Sequence, residues 1–302
     1  MKPFAQRHDF LICIDSDGCA FDTMEIKWKE CFIPAIIHIW HLQAVSKYAR
    51  YAAEFVNLYS RDRGTNRFPG LVRTFDLLRE WPEVQRRGAR IPEVEPLRAW
   101  AARERKLGNP ALHAEVQRTG DPVLAQALAW SEAANCRIAA MAHGVPPFPW
   151  VRESLEAASQ WADLMVCSAA QGEALRREWE EHGLAAYMAA AAGQEDGTKA
   201  EQIAAAMQGR YEAGRVLMIG DALGDWRAAK SNGVRFFPIN PGAEDASWEA
   251  FHHTVANQFH DATYTAECEA AFLERFESCL PAEPWWSSGQ TCPPVPTSTA
   301  KS

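Results

Sequence analysis

The chain has 302 residues, of which 47% are hydrophobic and 23% charged, with a formal net charge of −8. That is the composition of a folded, soluble protein able to bury a substantial core. The acidity argues against a general nucleic-acid binder, and no apolar stretch approaches the length of a bilayer span, so neither nucleic acid nor membrane is expected as a partner.

The first element is a five-residue apolar run, Phe10 to Ile14, followed at once by Asp15, Ser16, Asp17 and Gly18. Such a run reads as a buried parallel strand, and ligands in open α/β sheets sit at the carboxyl ends of such strands. Asp15 and Asp17 therefore point towards a site, the plainer alternative being an Asp-Gly turn. From Met24 to Tyr59 apolar residues recur at three- and four-residue steps, predicting an amphipathic helix or helix pair that Pro34 bends or divides. A polar loop over 61–70 and helices near 71–88, 94–106, 110–118 and 122–142 follow, with no strand pattern among them. Between Ser60 and Lys106, 12 Lys or Arg face 7 Asp or Glu, a local reversal of sign that suits a small anion. Pro146, Pro147 and Pro149 then mark a boundary.

Beyond the boundary the chain alternates: helix 150–161, strand 164–167, helix 171–182, strand 186–191, helix 198–208, strand 215–219, helix 225–231 and strand 234–238. Alternation of this kind predicts parallel βα units. The first strand has no earlier partner and joins this sheet. The expected architecture is α/β: a Rossmann-like core from residues 1–23 and 146–280, interrupted by an all-helical domain over 24–145. Two further helices are expected over 245–280, the second from Tyr264 to Leu280. From Pro281 a disordered tail is expected, with Trp285 and Trp286 docking on the core. The eight cysteines include no Cys-x-x-Cys pair, and the N-terminal residues read as no signal peptide. A reducing, cytoplasmic setting follows.

Setting the strand ends side by side gathers Asp15 and Asp17, Ser168, Lys199 at the start of a helix, and Asp221 and Asp225 in Gly220-Asp-Ala-Leu-Gly-Asp. Converging carboxylates need a compensating cation, and Mg²⁺, which takes hard oxygen ligands together with a substrate phosphate, is the natural one. Lys199 adds a fixed charge, worth about 4 kcal/mol against one phosphoryl charge at 4 Å and an effective dielectric near 20. Ser168 offers a hydroxyl. Singly, each has a plainer reading: a helix cap for Ser168, a solvated lysine, a βα loop. A P-loop string is absent, and Asp221 stands where a dinucleotide fingerprint places glycine.

In this order, Asp15-x-Asp17-Gly18, Ser168, Lys199 and Gly220-Asp221-x-x-x-Asp225 resemble the haloacid dehalogenase superfamily of phosphotransferases, especially its phosphoglycolate phosphatase-like members with a helical cap inserted after the first strand. The resemblance covers about residues 9–24 and 146–240, and the cap only in position and helical character. It departs from the family pattern at Cys19, usually Thr, and at Ala169, where Asn is frequent. The resemblance implies Asp15 as nucleophile, Asp17 as general acid and base, and Ser168 and Lys199 as phosphoryl binders. Its metal set would be drawn from Asp15, Asp17, Asp221 and Asp225, with Asp225 an outer ligand or a brace for Lys199. The implied activity is Mg²⁺-dependent hydrolysis of a small phosphorylated metabolite through an aspartyl phosphate. The alternatives are a phosphomutase of the same family and a catalytically idle binding protein on the same fold. Arg61, Arg63 and Arg67, on the loop with Gly64 and Gly70, are candidate substrate contacts from a closing cap. On that reading Arg67→Ala raises KM for the true substrate more than for a generic aryl phosphate.

Overall fold

In the computed structural model, which describes residues 4–288, the strand Phe10–Ile14 (β1) lies at the centre of a five-stranded sheet. Its partners are Ala162–Cys167 (β2), Ala190–Ala192 (β3), Val216–Gly220 (β4) and Arg235–Pro238 (β5), in the order β3-β2-β1-β4-β5 and all parallel. Near-continuous apolar sequence is what a central parallel strand requires, because helices cover both of its faces. One face carries Ile12, Ile14, Leu217 and Ile219 against Trp179, Trp248 and Phe251. The other carries Leu11, Cys13, Met218 and Phe236 against Ile203 and Phe276. The register aligns Ile14 with Val166 on one side and Ile219 on the other, so β1, β2 and β4 end together. That common edge fixes where polar side chains can meet. The third strand, expected over 186–191, begins later, since 185–187 closes as a 3₁₀ turn and leaves only Ala190–Ala192 extended.

Between β1 and β2 the chain is helical from Thr23 to Met141 apart from its connecting loops. These inserted helices have an apolar centre of their own, built from Phe32, Trp40, Phe68, Phe75, Trp100 and Trp130 among others. The first runs from Thr23–Ile26 through a π-helical stretch, Lys27–Phe32, into Ile33–Ile39. Pro34 neither ends nor divides it: the register shift of the π stretch falls just where the missing proline N–H would break ordinary helix bonding. The long pattern expected to end near Tyr59 is completed by a second helix, Ser46–Leu58. No helix among the described residues is long and apolar enough to cross a membrane, and the seven cysteines among them are free.

After the core helix Ala266–Ser278 the chain leaves the sheet and crosses to the inserted helices. Trp286 stacks on Trp81 with centroids 4.0 Å apart and planes 7° apart, and packs edge-on to Phe55. Trp285 packs edge-on to Tyr51. Both tryptophans thus dock on the helical insertion, not on the core, because that is where the complementary aromatic faces are exposed to the passing chain. The part of the expected tail beyond 288 lies outside the described residues.

Candidate active site at the sheet edge

Asp15 follows β1 directly, and its N–H continues the ladder by donating to the Ile219 carbonyl at 3.0 Å. Its side chain is thereby held at the shared strand end, 5% exposed. Asp221, after β4, and Asp225, in the first turn of the helix Leu223–Ser231, are 2% and 1% exposed. Oxygens of Asp15, Asp221 and Asp225 lie within 4.8 Å of one another.

Lys199 reaches this group from the first position of the helix Lys199–Met207. The helix is opened by a reciprocal cap: the Thr198 hydroxyl accepts from the Glu201 N–H, and the Glu201 carboxylate accepts from the Thr198 N–H at 2.7 Å. A lysine in a first helical turn opposes the helix dipole, costing about 0.3–1 kcal/mol. The ion pairs it makes there, 2.7 Å to Asp15 Oδ2 and 2.5 Å to Asp225 Oδ1, outweigh that cost. Asp225 has a second role, since its other oxygen accepts from the Ala222 N–H at 3.2 Å and fixes the β4 loop.

Ser168 ends β2 on the same edge, 2% exposed, with its N–H on the Ala192 carbonyl and its Oγ accepting from the Ala170 N–H at 3.1 Å. Gln202 stitches this region together. Its amide donates to the carbonyls of Ser168, Gly193 and Gly197, at 2.9–3.1 Å, so one side chain ties the ends of β2 and β3 to the Lys199 helix.

Asp17 is held apart from the three clustered carboxylates. Its Oδ1 accepts from the Thr23 hydroxyl at 2.5 Å and from Lys27, both at the start of the inserted helices. The expected metal set therefore meets as Asp15, Asp221 and Asp225, while the Asp17 carboxylate is turned to the helical side. Lys27 and Thr23 were not foreseen, and neither was Glu178. The Glu178 carboxylate accepts from the Ser16 hydroxyl at 2.7 Å, and that hydroxyl accepts in turn from Trp179 Nε1 at 2.9 Å. The only signal in the sequence was a glutamate at the edge of the apolar stripe made by Leu175 and Trp179.

The three arginines of the loop separate. Arg63 is buried and enters the site: its Nε and Nη2 both lie on Asp221 Oδ2, at 2.7 and 2.6 Å. Arg67 turns into the helical insertion, bonding Ser131 and Asn135 and lying over the Phe32 ring at 4.6 Å. Arg61 is exposed, with its N–H on the Pro281 carbonyl. Neither Arg61 nor Arg67 has a contact with the clustered acids, because their positions two residues before and four after Arg63 point along other directions of the turn.

Gly18 makes this approach possible. Its φ is +77°, and a Cβ there would meet Arg63 Nη2, Asp221 Oδ2 and Met24 Cγ, the last two at 2.6 and 2.7 Å. Only glycine combines that backbone with that crowding.

Four carboxylates, Asp15, Asp17, Asp221 and Asp225, thus face three cations, Lys27, Lys199 and Arg63. Burial pushes the Asp15 carboxyl well above the ordinary range; Lys199 pulls it back, and Asp225 and Asp221 push it up again. Asp225 is likewise raised by burial, against the pull of Lys199. For Asp17, burial is overcome by the charge and hydrogen bond of Lys27, and its carboxyl is lowered. Burial opposes the charge of Lys199, yet Asp15 and Asp225 raise its pKa. The clustered acids are short of positive charge, and their donors are all hard oxygens in bridging reach, so the residues present fit a small divalent cation such as Mg²⁺.

A family model described as haloacid dehalogenase-like hydrolase matches residues 114–239. No curated protein matches the sequence. Among solved structures, the chain is similar to a candidate phosphoglycolate phosphatase from Lactobacillus delbrueckii subsp. bulgaricus, at 17% identity and TM-score 0.49 over 85% of this chain and 99% of that one. It is also similar to a haloacid dehalogenase-like family hydrolase from Xanthomonas campestris, at 14% identity and TM-score 0.45 over 87% and 99%. A third likeness is to a candidate β-phosphoglucomutase from Thermotoga maritima, at 14% identity and TM-score 0.40 over 84% and 97%. The family match spans β2 to β5 and the loops that carry Ser168, Lys199, Asp221 and Asp225 to the end of β1, and over this part the chain is similar to the haloacid dehalogenase-like hydrolases.

Proposed function

We propose that the protein is a Mg²⁺-dependent phosphomonoesterase acting on a small phosphorylated metabolite, with the inserted helices as its cap. The observation that carries this reading is the meeting of Asp15, Asp221 and Asp225 around Lys199 at one sheet edge. Three buried acids from two stretches of chain, two of them sharing one lysine and the third held by Arg63, are costly for stability alone and suit a ligand that brings both a cation and a phosphate.

In this reading an Asp15 oxygen attacks phosphorus, the ester P–O bond breaks, and the departing oxygen takes a proton from Asp17. Water then attacks the aspartyl phosphate, gives its proton to Asp17, and releases inorganic phosphate with Asp15 restored. Lys199 neutralises the phosphoryl oxygens, and the Ser168 hydroxyl orients them. Asp15, Asp221 and Asp225 would hold Mg²⁺, whose charge would favour the ionised Asp15 and offset repulsion between the phosphate and the acids. A cytoplasmic setting goes with this reading, since the described cysteines are free.

The test is phosphate release across a panel of phosphorylated metabolites with Mg²⁺, run on wild type and Asp15→Asn together. Release by wild type, lowered about 10³-fold or more in the variant, supports the reading. Interconversion of sugar phosphates without net release identifies a mutase instead, and an inert wild-type protein overturns the enzymatic reading.

A further inference from the structure

Each clustered acid is paired with a cation of the chain: Asp15 and Asp225 share Lys199, and Asp221 meets Arg63. The two cations differ in origin. Lys199 belongs to the core, whereas Arg63 comes from the stretch between the inserted helices Ser46–Leu58 and Arg67–Glu80, 158 residues before its partner. Its Nε and Nη2 converge on the same oxygen, Asp221 Oδ2, Nη2 also reaching the Gly18 carbonyl at 3.4 Å, and Nη1 points back to the Leu58 carbonyl at 2.8 Å. Arg63 is 5% exposed and Asp221 2%, so water screens neither.

Charge and space then lead to one consequence. A divalent cation shared by Asp15, Asp221 and Asp225 needs an oxygen of Asp221 in its coordination shell, at about 2.0–2.1 Å for Mg²⁺. A guanidinium bonded twice to Oδ2 of that carboxylate takes up this oxygen and repels a second positive charge brought to the other. Nor can Arg63 step aside alone. Gly64, with φ +75°, sits so close to the β4 loop that a Cβ on it would lie 2.7 Å from Ala222 Cβ, and Arg63 Nη2 is packed over Gly18. Withdrawing Arg63 means lifting the loop that carries it, which is stiffened as one unit by the turn bonds from the Arg63 N–H to the Ser60 carbonyl and from the Thr65 N–H to the Asp62 carbonyl.

We propose that Arg63 is the cap's stand-in for the divalent cation: it competes with the metal for Asp221, so that loading the site with cation and seating the 60–66 loop on the core exclude one another. The inference rests on the metal reading above and adds the coupling. By linkage, the apparent metal affinity is the intrinsic affinity scaled by the fraction of time the loop is lifted, and bound metal shifts the loop from seated to lifted by the matching coupling factor. Arg63 is thus a positioning residue that holds the Asp221 carboxylate in place while the cation is away.

The experiment is Mn²⁺ titration of the full chain by calorimetry, with electron paramagnetic resonance reporting free Mn²⁺, for wild type, Arg63→Ala and Arg63→Gln. The expected result is a Kd at least tenfold lower in both variants. Hydrogen exchange of wild type with and without Mg²⁺ needs no variant, and exchange at amides 60–66 is expected to quicken on loading. An equal or weaker Kd in the variants, or unchanged or slower exchange in a wild type that binds Mn²⁺, overturns the coupling and leaves the metal reading standing. Failure of every protein, wild type included, to bind Mn²⁺ removes the metal reading and the coupling with it.

Discussion

Lys27, on the first inserted helix, donates to Oδ1 of Asp17, at the end of the central strand. The general acid proposed for the leaving oxygen is thereby paired with a cation from the cap. The pairing lowers the Asp17 carboxyl in spite of its burial, which favours its role as base towards water and opposes its role as acid. In kcat/KM the basic limb reports loss of the proton Asp17 must donate. Replacing Lys27 by Met removes the cation while leaving Asp17 buried, so that limb moves to higher pH, by about one unit or more. The pH dependence of kcat/KM for an aryl phosphate measures this directly, and a limb that stays in place or moves down contradicts the assignment.

Glu178 gives a second pH signal, in stability. Burial first, and then repulsion by Asp17, push its carboxyl up to about 7 from the ordinary 4.5, against the opposing pull of Lys27 and the Ser16 hydrogen bond. The folded protein therefore holds this proton more tightly than the unfolded chain. The benefit is complete below pH 4.5 and is lost as pH rises through 7, with a ceiling of about 3 kcal/mol. Glu178→Gln cannot ionise and can still accept from Ser16. Urea unfolding at pH 5 and pH 8 should show the variant gaining on wild type at the higher pH by up to that amount; an unchanged difference between the two proteins would refute the assignment.

Arg67 separates a structural role from a substrate contact. Burial lowers its pKa to about 10, and its contacts are the neutral Ser131 and Asn135 with the Phe32 ring. Truncation to Ala empties a filled position inside the cap, so Arg67→Ala should cost about 2–4 kcal/mol of stability. KM for an aryl phosphate and for the best metabolite should change by the same factor. A selective rise for the metabolite would restore the substrate contact expected from the loop sequence, and thermal unfolding beside the two KM values decides.

What could be read from sequence followed the strands. Asp15, Ser168, Asp221 and Asp225 were legible because an apolar run ending in a polar residue fixes both an element and its exit point, and parallel strands bring such exits to one edge. Lys199 was legible only as part of the set, a cation at the start of the helix that follows the third strand, where singly it reads as a solvated lysine. Lys27 and Glu178 were not, since they lie inside helices whose rotation against the sheet is set by packing between elements remote in sequence. Arg63 and Arg67 share a loop and a residue type, and nothing local says that one turns to the core and the other into the cap. Their partners, Asp221 and the pair Ser131 and Asn135, exist only in the folded chain.

The C-terminal tryptophans tie the two parts of the molecule together. Leu280 is wholly buried with the core cluster of Phe276, and six residues later Trp286 is stacked on Trp81 of the cap. Between them the Pro281 carbonyl accepts from the Arg61 N–H, at the base of the loop that carries Arg63. A segment this short, anchored at both ends, ties the inserted helices to the core. Stacked and edge-on ring pairs add about 0.5–1.5 kcal/mol each beyond the area they bury, and Trp286 makes one of each with Trp81 and Phe55. Trp286→Ala should therefore destabilise the docked segment by about 2 kcal/mol, the two pairs taken together. Hydrogen exchange should quicken in the cap helices Ser46–Leu58 and Pro82–Arg86, which carry Phe55 and follow Trp81, with β1 and β4 unaffected. Equal protection of those helices in variant and wild type would mean that the tryptophans cover the cap without restraining it.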